Sequence, residues 1–363
     1  MISPANRSDL NGSYDTTAFT DEAVRKIQNH NDASASMYVY LAYQAVHSDG
    51  GGTLDAPLST VETYGRVKSD TYKVMSAMVT ELDDGMARVL AALKAKGMLE
   101  TSVIIVTADN GGPLDHSYNW PLRGGKHTYW EGGLNVEAFV WSPLLPTTVA
   151  GTEWSGIAHT SDWQATIVEG IFGFPPADPS DSGDQGVGSH VGGGAGGGNN
   201  LWPALLSGGA SPRTQVIHQV QNRFWNTSAG KDDPDNACKS DCGAAIRTGD
   251  LKLVLGYPGD ERRVPVAPLA PVGTTVKFGA SGGYVTHSDH ASAPGQKGPK
   301  GNRSLCVPHC LFNLTADPTE SHDLGGDAAF APHVAAMTKA IFDAGSEAPE
   351  PSLAVPNAQV RVC

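Results

Sequence analysis

Long apolar runs are missing from this chain. The longest, around Met37 to Val46 and Val103 to Thr107, are strand-length, well short of the ~18 or more apolar residues of a membrane span. Basic clusters are missing too. The chain has 25 Lys and Arg against 38 Asp and Glu, a formal net charge of -13, with no Lys/Arg-rich block. A nucleic-acid backbone or an anionic lipid surface would be repelled, so the expected partner is a small or sugar-like molecule. Cysteine is scarce, five in 363 residues, and no internal repeat is found. The opening MISPANRSDLNGSYD has neither a basic n-region nor an apolar h-region, so no secretory signal is visible.

What is present suits a two-domain α/β protein, because a chain of this length buries a sizeable core. Four cysteines fall in two C-x3-C pairs, Cys238/Cys242 and Cys306/Cys310, with Cys363 left over. The spacing differs from the C-x2-C of zinc sites, so local disulfides are favoured over metal ligands. Five Asn-x-Ser/Thr sequons, at Asn6, Asn11, Asn226, Asn302 and Asn313, also point to an extracytoplasmic setting.

Along the chain, Thr20-Asp21-Glu22 open a short capped helix running to His30. MYVYLAY, residues 37–43, has the unbroken apolar character of a strand covered on both faces in a parallel sheet. Residues 69–96 have helical periodicity, with Gly97 placed to stop them. SVIIVT, 102–107, is a second buried-type strand. Strand, helix and strand make a βαβ unit with parallel strands, which brings His47 and Asp109-Asn110 to one crevice at the carboxyl ends. A third strand is expected at Ala138–Trp141, then a helix capped by Ser161 and Asp162 and running to about Phe172. Residues 1–172 are expected to form part of a large α/β domain, and 173–212 a Gly-rich linker containing GGGAGGGNN. Residues 213–363 read as a small antiparallel α+β domain. It holds a strand at 214–220, a hairpin across Thr248-Gly249-Asp250, a low-complexity loop at 258–305 and a helix at about 328–344.

The chemistry-bearing residues gather in VIIVTADNGGPLDHSYNWPLRGGKHTYWEGG, 103–133. Asp-Asn-Gly-Gly is an ordinary turn sequence. Equally, Asp109 and Asn110 offer two hard oxygens, one anionic and one neutral, to Ca²⁺ or Mg²⁺, which needs six or more ligands and therefore others elsewhere. Lys126 is either part of a solvated basic loop or a cation for a developing oxyanion. Glu131 is a metal ligand or, preferred, an internal partner of Arg123 or Lys126. Trp120 and Trp130 are expected to pack and shape the loop, while His127 and His159 are read as structural.

In order, these segments resemble the type I sulfatases, in particular the arylsulfatase B-like branch. The residues that carry the likeness are Ala42–His47, Thr107–Gly112, Asn119–Lys126, Trp130–Gly133, Ser142–Leu145, Ser161–Trp163, Ser211–Arg213, Ala245–Arg247, Leu251–Leu253, Gly256–Gly259, Cys310–Leu314 and Asp317-Pro318. The resemblance implies a sulfatase/alkaline-phosphatase-like α/β/α sandwich with a small C-terminal domain. It implies one Ca²⁺ held in part by Asp109 and Asn110, with His47 and Lys126 at the sulfate of a sulfated sugar or aryl ester. It also implies a secreted or lysosomal-type setting. Such enzymes carry, in their N-terminal part, a metal-binding Asp-Asp on the first strand, a formylglycine made from Cys-x-Pro-x-Arg and a Lys-x-His pair. None of these occurs here, and Cys306-Val-Pro-His-Cys310 lacks the Arg. The expectation is therefore an N-terminally truncated sulfatase, inactive by itself. The alternatives are a degenerate, non-catalytic binder of sulfated glycans or a partner, and a phosphate-ester hydrolase of the wider group.

Overall fold

The structure, a computed structural model, describes residues 12–48, 53–114, 117, 119–175, 198–220, 243–259, 284–285, 306–347 and 359–362. In chain order its elements are α1 (Asp15–Gln28), β1 (Leu54–Asp55), α2 (Leu58–Thr63), α3 (Asp70–Ala95), β2 (Ile104–Thr107), α4 (Glu131–Leu134) and β3 (Asn135–Trp141). There follow α5 (Asp162–Ala165), α6 (Trp202–Ser207), β4 (Gln215–Val220), β5 (Gly243–Thr248), β6 (Leu251–Gly256), β7 (Tyr284–Val285), β8 (Cys306–Asn313), α7 (Ala331–Glu347) and β9 (Gln359–Val362). No described helix is long and apolar enough to cross a membrane. The chain divides into two compact units, one holding Met1–Ser102, Asp115–Ser117 and Ala267–Gly298, the other the remainder.

In the first unit α1 packs on α3. Ala23 and Ile27 of α1 are buried, and Thr20 bonds the Tyr43 hydroxyl at 2.8 Å. Val74, Ala77 and Met78 of α3 bury against Leu54, Ala56 and Val61. The long helix runs as its periodicity predicts, with Ser69 as N-cap and Gly97 at φ +70 just past its end. Residues 37–43 depart from expectation: they carry no strand, and Tyr38 and Tyr40 are 60% and 82% exposed. An apolar run specifies that a segment wants covering, whereas a strand exists only through a partner's backbone. β1 pairs instead with β7.

The second unit holds two sheets. β2 pairs antiparallel with β3, and β3 parallel with β9. Val136, Ala138 and Val140 alternate along β3 into a core with Trp154, Ala158, Leu201, Ala204 and Leu205. The last three come from residues expected to be linker, so 198–212 builds core. The buried Arg213 guanidinium forks onto Asp162, at 2.8 Å from Nε and 2.6 Å from Nη2. Asp162 also accepts the backbone N–H of His159 at 2.8 Å and of Asn199 at 2.7 Å. Ser161, expected as a cap, makes no cap bond and meets His159 Nδ1 at 2.8 Å instead. α5 continues as a π-helical turn, Thr166–Ile171.

The other sheet has the order β4-β5-β6-β8, antiparallel throughout, as the predicted hairpin requires. Both of its faces are covered. Ile246, Leu253, Leu255 and Leu311 pack on Met337 and Ile341 of α7, while Ala245, Val254 and Phe312 pack on Trp130. Cys306 and Cys310 oppose Gly256 and Val254, so between these pairs three residues of β8 face one of β6 across a bulge, and the structure joins the two cysteines. Cys238, Cys242, Cys363 and every sequon but Asn313 lie outside the described residues.

Period two places Lys252 on the Trp130 face with Val254, and there it is fully buried between Glu131 (2.9 Å) and Glu320 (2.7 Å). Glu131 is thus an internal partner, but of Lys252 rather than of Arg123 or Lys126. Glu320 adopts φ 52, a costly conformation for a non-glycine residue, and from it accepts the Glu131 N–H at 2.7 Å. Burial alone would lower the Lys252 ammonium, but the two carboxylates outweigh it and hold its pKa above the ordinary value. Burial raises Glu320 to about 7, against the pull of Lys252 and with the push of Glu131.

Two outcomes follow. Arg213→Leu strands a buried carboxylate and should destabilise the protein by about 3–5 kcal/mol, read as a lowered urea midpoint; an unchanged midpoint would show that the fork contributes nothing. Glu320 binds its proton more tightly folded than unfolded, so its contribution is present at low pH and lost as pH rises through about 7. Glu320→Gln removes that gain. Its stability deficit relative to wild type should therefore be larger at pH 5 than at pH 8, and a deficit that grows with pH would contradict the assignment.

Candidate active site

β2 runs out at Thr107, and the next turn presents Asp109, exposed, and Asn110, half-buried. Asn110 Nδ2 donates to the Gly111 carbonyl at 3.0 Å, which makes its other terminus, Oδ1, an acceptor beside the Asp109 carboxylate. Two hard oxygens side by side have the donor chemistry of a Ca²⁺ or Mg²⁺ site, and they amount to two of the six or more ligands such an ion takes. Among the described residues no cluster of three or more His, Cys, Asp or Glu completes a metal site.

The position of this turn is fixed by glycines. Gly111 N–H donates to Gly133 O at 3.0 Å, Gly132 N–H to Arg123 O at 2.7 Å, and Lys126 N–H to Gly112 O at 3.0 Å. The three Gly-Gly pairs, 111–112, 124–125 and 132–133, therefore interlock main chain on main chain. A Cβ on Gly111 would lie 1.7 Å from Gly132 O, and one on Gly133 would lie 2.3 Å from Gly125 O. Asn119 ties the centre together. Its Oδ1 accepts Gly112 N–H at 2.9 Å, and its Nδ2 donates to Gly112 O at 2.8 Å and Gly124 O at 3.2 Å.

Lys126 thus leaves the backbone one hydrogen bond from Gly112, two residues beyond Asn110. The neighbouring cation is committed elsewhere: Arg123 lies 3.8 Å over the Trp130 ring and donates to Glu320 O at 2.8 Å. Trp130 is wholly buried, as expected of a packing residue. Trp120 is not, since it is 55% exposed. His127 takes φ 69, and His159 closes the turn before α5. His47 belongs to the first unit, where it is exposed with Nδ1 2.6 Å from Ser48 O.

Sequence reasoning missed Asn119, Lys252 and Glu320. A lysine inside LKLVLG, flanked by residues that bury on both faces, was the available sign that a carboxylate waits opposite. Asn119 and Glu320 give no such local sign, because their partners are far along the chain or are bare main chain.

Residues 2–170 match the sulfatase family model. The chain is 33% identical over 322 residues to arylsulfatase J of Mus musculus, covering 86% of this chain and 46% of that protein. It is 31% identical over 164 residues to a sulfatase of Formosa agariphila, covering 42% and 29%. The chain thus spans less than half the length of these relatives. Two solved structures share the fold. One is Ps i-CgsB in complex with k-i-k-neocarrahexaose, at TM-score 0.63 and 20% identity, covering 94% of this chain and 57% of that one. The other is the PsFucS1 sulfatase from Pseudoalteromonas sp., at TM-score 0.56 and 22% identity, covering 93% and 54%. The α/β reading of the sequence agrees with them, and the sulfatase family is typically metal-dependent. The likeness to the sulfatase family is thus carried by residues 2–170, which the family model matches.

Proposed function

We propose that the chain supplies the leaving-group side and part of the metal site of a sulfuric ester hydrolase acting on aryl or sugar sulfates. The observation that supports this most is the convergence on Gly112, which ties the Asp109-Asn110 turn to the root of Lys126 through one carbonyl. Asp109 and Asn110 Oδ1 would hold a divalent cation, Ca²⁺ by resemblance. When bound, such an ion neutralises charge on an ester oxygen and lowers the pKa of a hydroxyl beside it.

Lys126 meets the charge that grows on the leaving oxygen as the S–O bond breaks, and its ammonium is the proton donor for the departing alcohol. A lysine suits this task because its charge sits on a long stem that follows the moving oxygen, while the main chain at its root is held. Arg123 cannot share the role while it stacks on Trp130. His47 joins by resemblance as a hydrogen-bond donor to sulfate. Residues 1–363 contain no Cys-x-Pro-x-Arg, so the proposal gives them no nucleophile. The cysteines and sequons support an extracytoplasmic setting.

Residues 1–363 alone are expected to turn over neither 4-nitrophenyl sulfate nor 4-nitrophenyl phosphate; hydrolysis abolished by Lys126→Ala would reject their inactivity while keeping the site. The protein as its source makes it should prefer the sulfate, lose activity in chelator, and drop about 10²- to 10³-fold in kcat with Lys126→Ala. Preference for the phosphate would move the protein to the other reading. Gly111→Ala should cost both stability and activity, because its Cβ meets main chain that cannot swing aside. Normal kcat in that variant would show that the glycine interlock does not set the site.

A further inference from the structure

Trp120 has more than half of its surface in water, and it stands at the corner of a turn that is pinned on both sides. Before it, Asn119 spends both ends of its amide on the main chain of Gly112 and Gly124. After it, Leu122 N–H returns to Asn119 O at 2.9 Å, and Arg123 is anchored on Trp130 and Glu320. A frayed loop would expose an indole by accident, but here the segment carrying it is held by hydrogen bonds.

We propose that Trp120 is the specificity platform of this site, its indole face stacking on the ring that carries the sulfate. The inference rests on the function proposed above and names the substrate's other half. The Gly112 carbonyl that accepts Lys126 N–H also accepts Asn119 Nδ2, so the residue that precedes Trp120 and the backbone of the proposed sulfate-binding lysine share one acceptor. A sulfate ester has an anion at one end and a ring at the other, and this pair of groups matches both. Indole stacks on an aryl ring or on the apolar C–H face of a pyranose. Trp120 is the one exposed large hydrophobic residue among the described positions between Asn119 and Leu134, which favours a single ring over a protein partner that needs a broad patch.

Calorimetric titration of the 363-residue chain in Ca²⁺ buffer with inorganic sulfate, methyl sulfate, 4-nitrophenyl sulfate and glucose 6-sulfate tests this. Wild type should bind at least one ring ester about tenfold more tightly than methyl sulfate. Trp120→Ala should erase that preference, Trp120→Phe should keep most of it, and affinity for inorganic sulfate should be unchanged in both. Which ring ester loses affinity identifies an aryl or a sugar substrate. The side chain is largely exposed, so an unchanged urea midpoint separates lost binding from lost fold. If Trp120→Ala keeps the ring preference while Lys126→Ala abolishes sulfate binding, the platform is wrong and the sulfate site stands. If wild type binds no sulfate at all, both fall together.

Discussion

Everything assigned to the candidate site depends on main chain lying directly against main chain where three Gly-Gly pairs meet. Side chains can repack around a disturbance, but carbonyls held in hydrogen bonds have nowhere to go. At Gly111 a single added carbon would sit 1.7 Å from the Gly132 oxygen, far inside van der Waals contact. Contact of this kind converts separate loops into one rigid piece. The turn after β2, the loop before Lys126 and the start of α4 then keep a common geometry, although no side chain of the three glycine pairs takes part in any chemistry.

The rigid piece is in turn bolted to the small sheet by charge. Glu131 opens α4, directly before Gly132 and Gly133, and its carboxylate is the partner of Lys252 on β6. A buried ion pair gives little net stability compared with apolar packing, but once built it tolerates few alternative arrangements. Here it selects which face of β6 looks toward Trp130, because slipping the strand by one residue would put Lys252 among the leucines that face α7. The second carboxylate, Glu320, returns the favour to the loop: its side chain accepts the Glu131 N–H and its carbonyl accepts Arg123. Lys252 of the sheet and Glu320 of the loop after β8 therefore hold both ends of the segment that carries Lys126.

This hierarchy explains what could be read from the sequence. Local information was sufficient for α3, whose periodicity, Ser69 cap and Gly97 stop are all written within its own length. The β5–β6 hairpin was equally legible, since its turn residues lie between its strands. Asp109, Asn110 and Lys126 were nominated from residue type and from resemblance, and the shared anchoring on Gly112 came only with the structure. Residues 37–43 mark the opposite case. Their apolar run was genuine, but the strand it suggested needs a neighbour that no local pattern supplies. Trp120 and Trp130 show the limit most plainly: two tryptophans in one motif, one wholly buried and one mostly exposed, differing only in what lies across from them.

For the function proposed above, charge placement favours a sulfate over a phosphate ester. The chain carries a net charge of -13, so any anion approaches against an unfavourable background, and a phosphate monoester dianion feels it about twice as strongly as a sulfate ester monoanion. Three cations described in the second unit are already engaged. Lys252 and Arg213 are buried and matched to carboxylates, and Arg123 is stacked on an indole. The attraction must come from within a screening length of about 8 Å, where the proposal puts Lys126 together with the divalent cation of Asp109 and Asn110. A phosphate dianion loses more hydration and meets more of the acidic background on entering than a sulfate ester monoanion does, so the monoanion is the better match to the proposed site, and the uncharged ring that the ester carries adds binding that the background does not oppose.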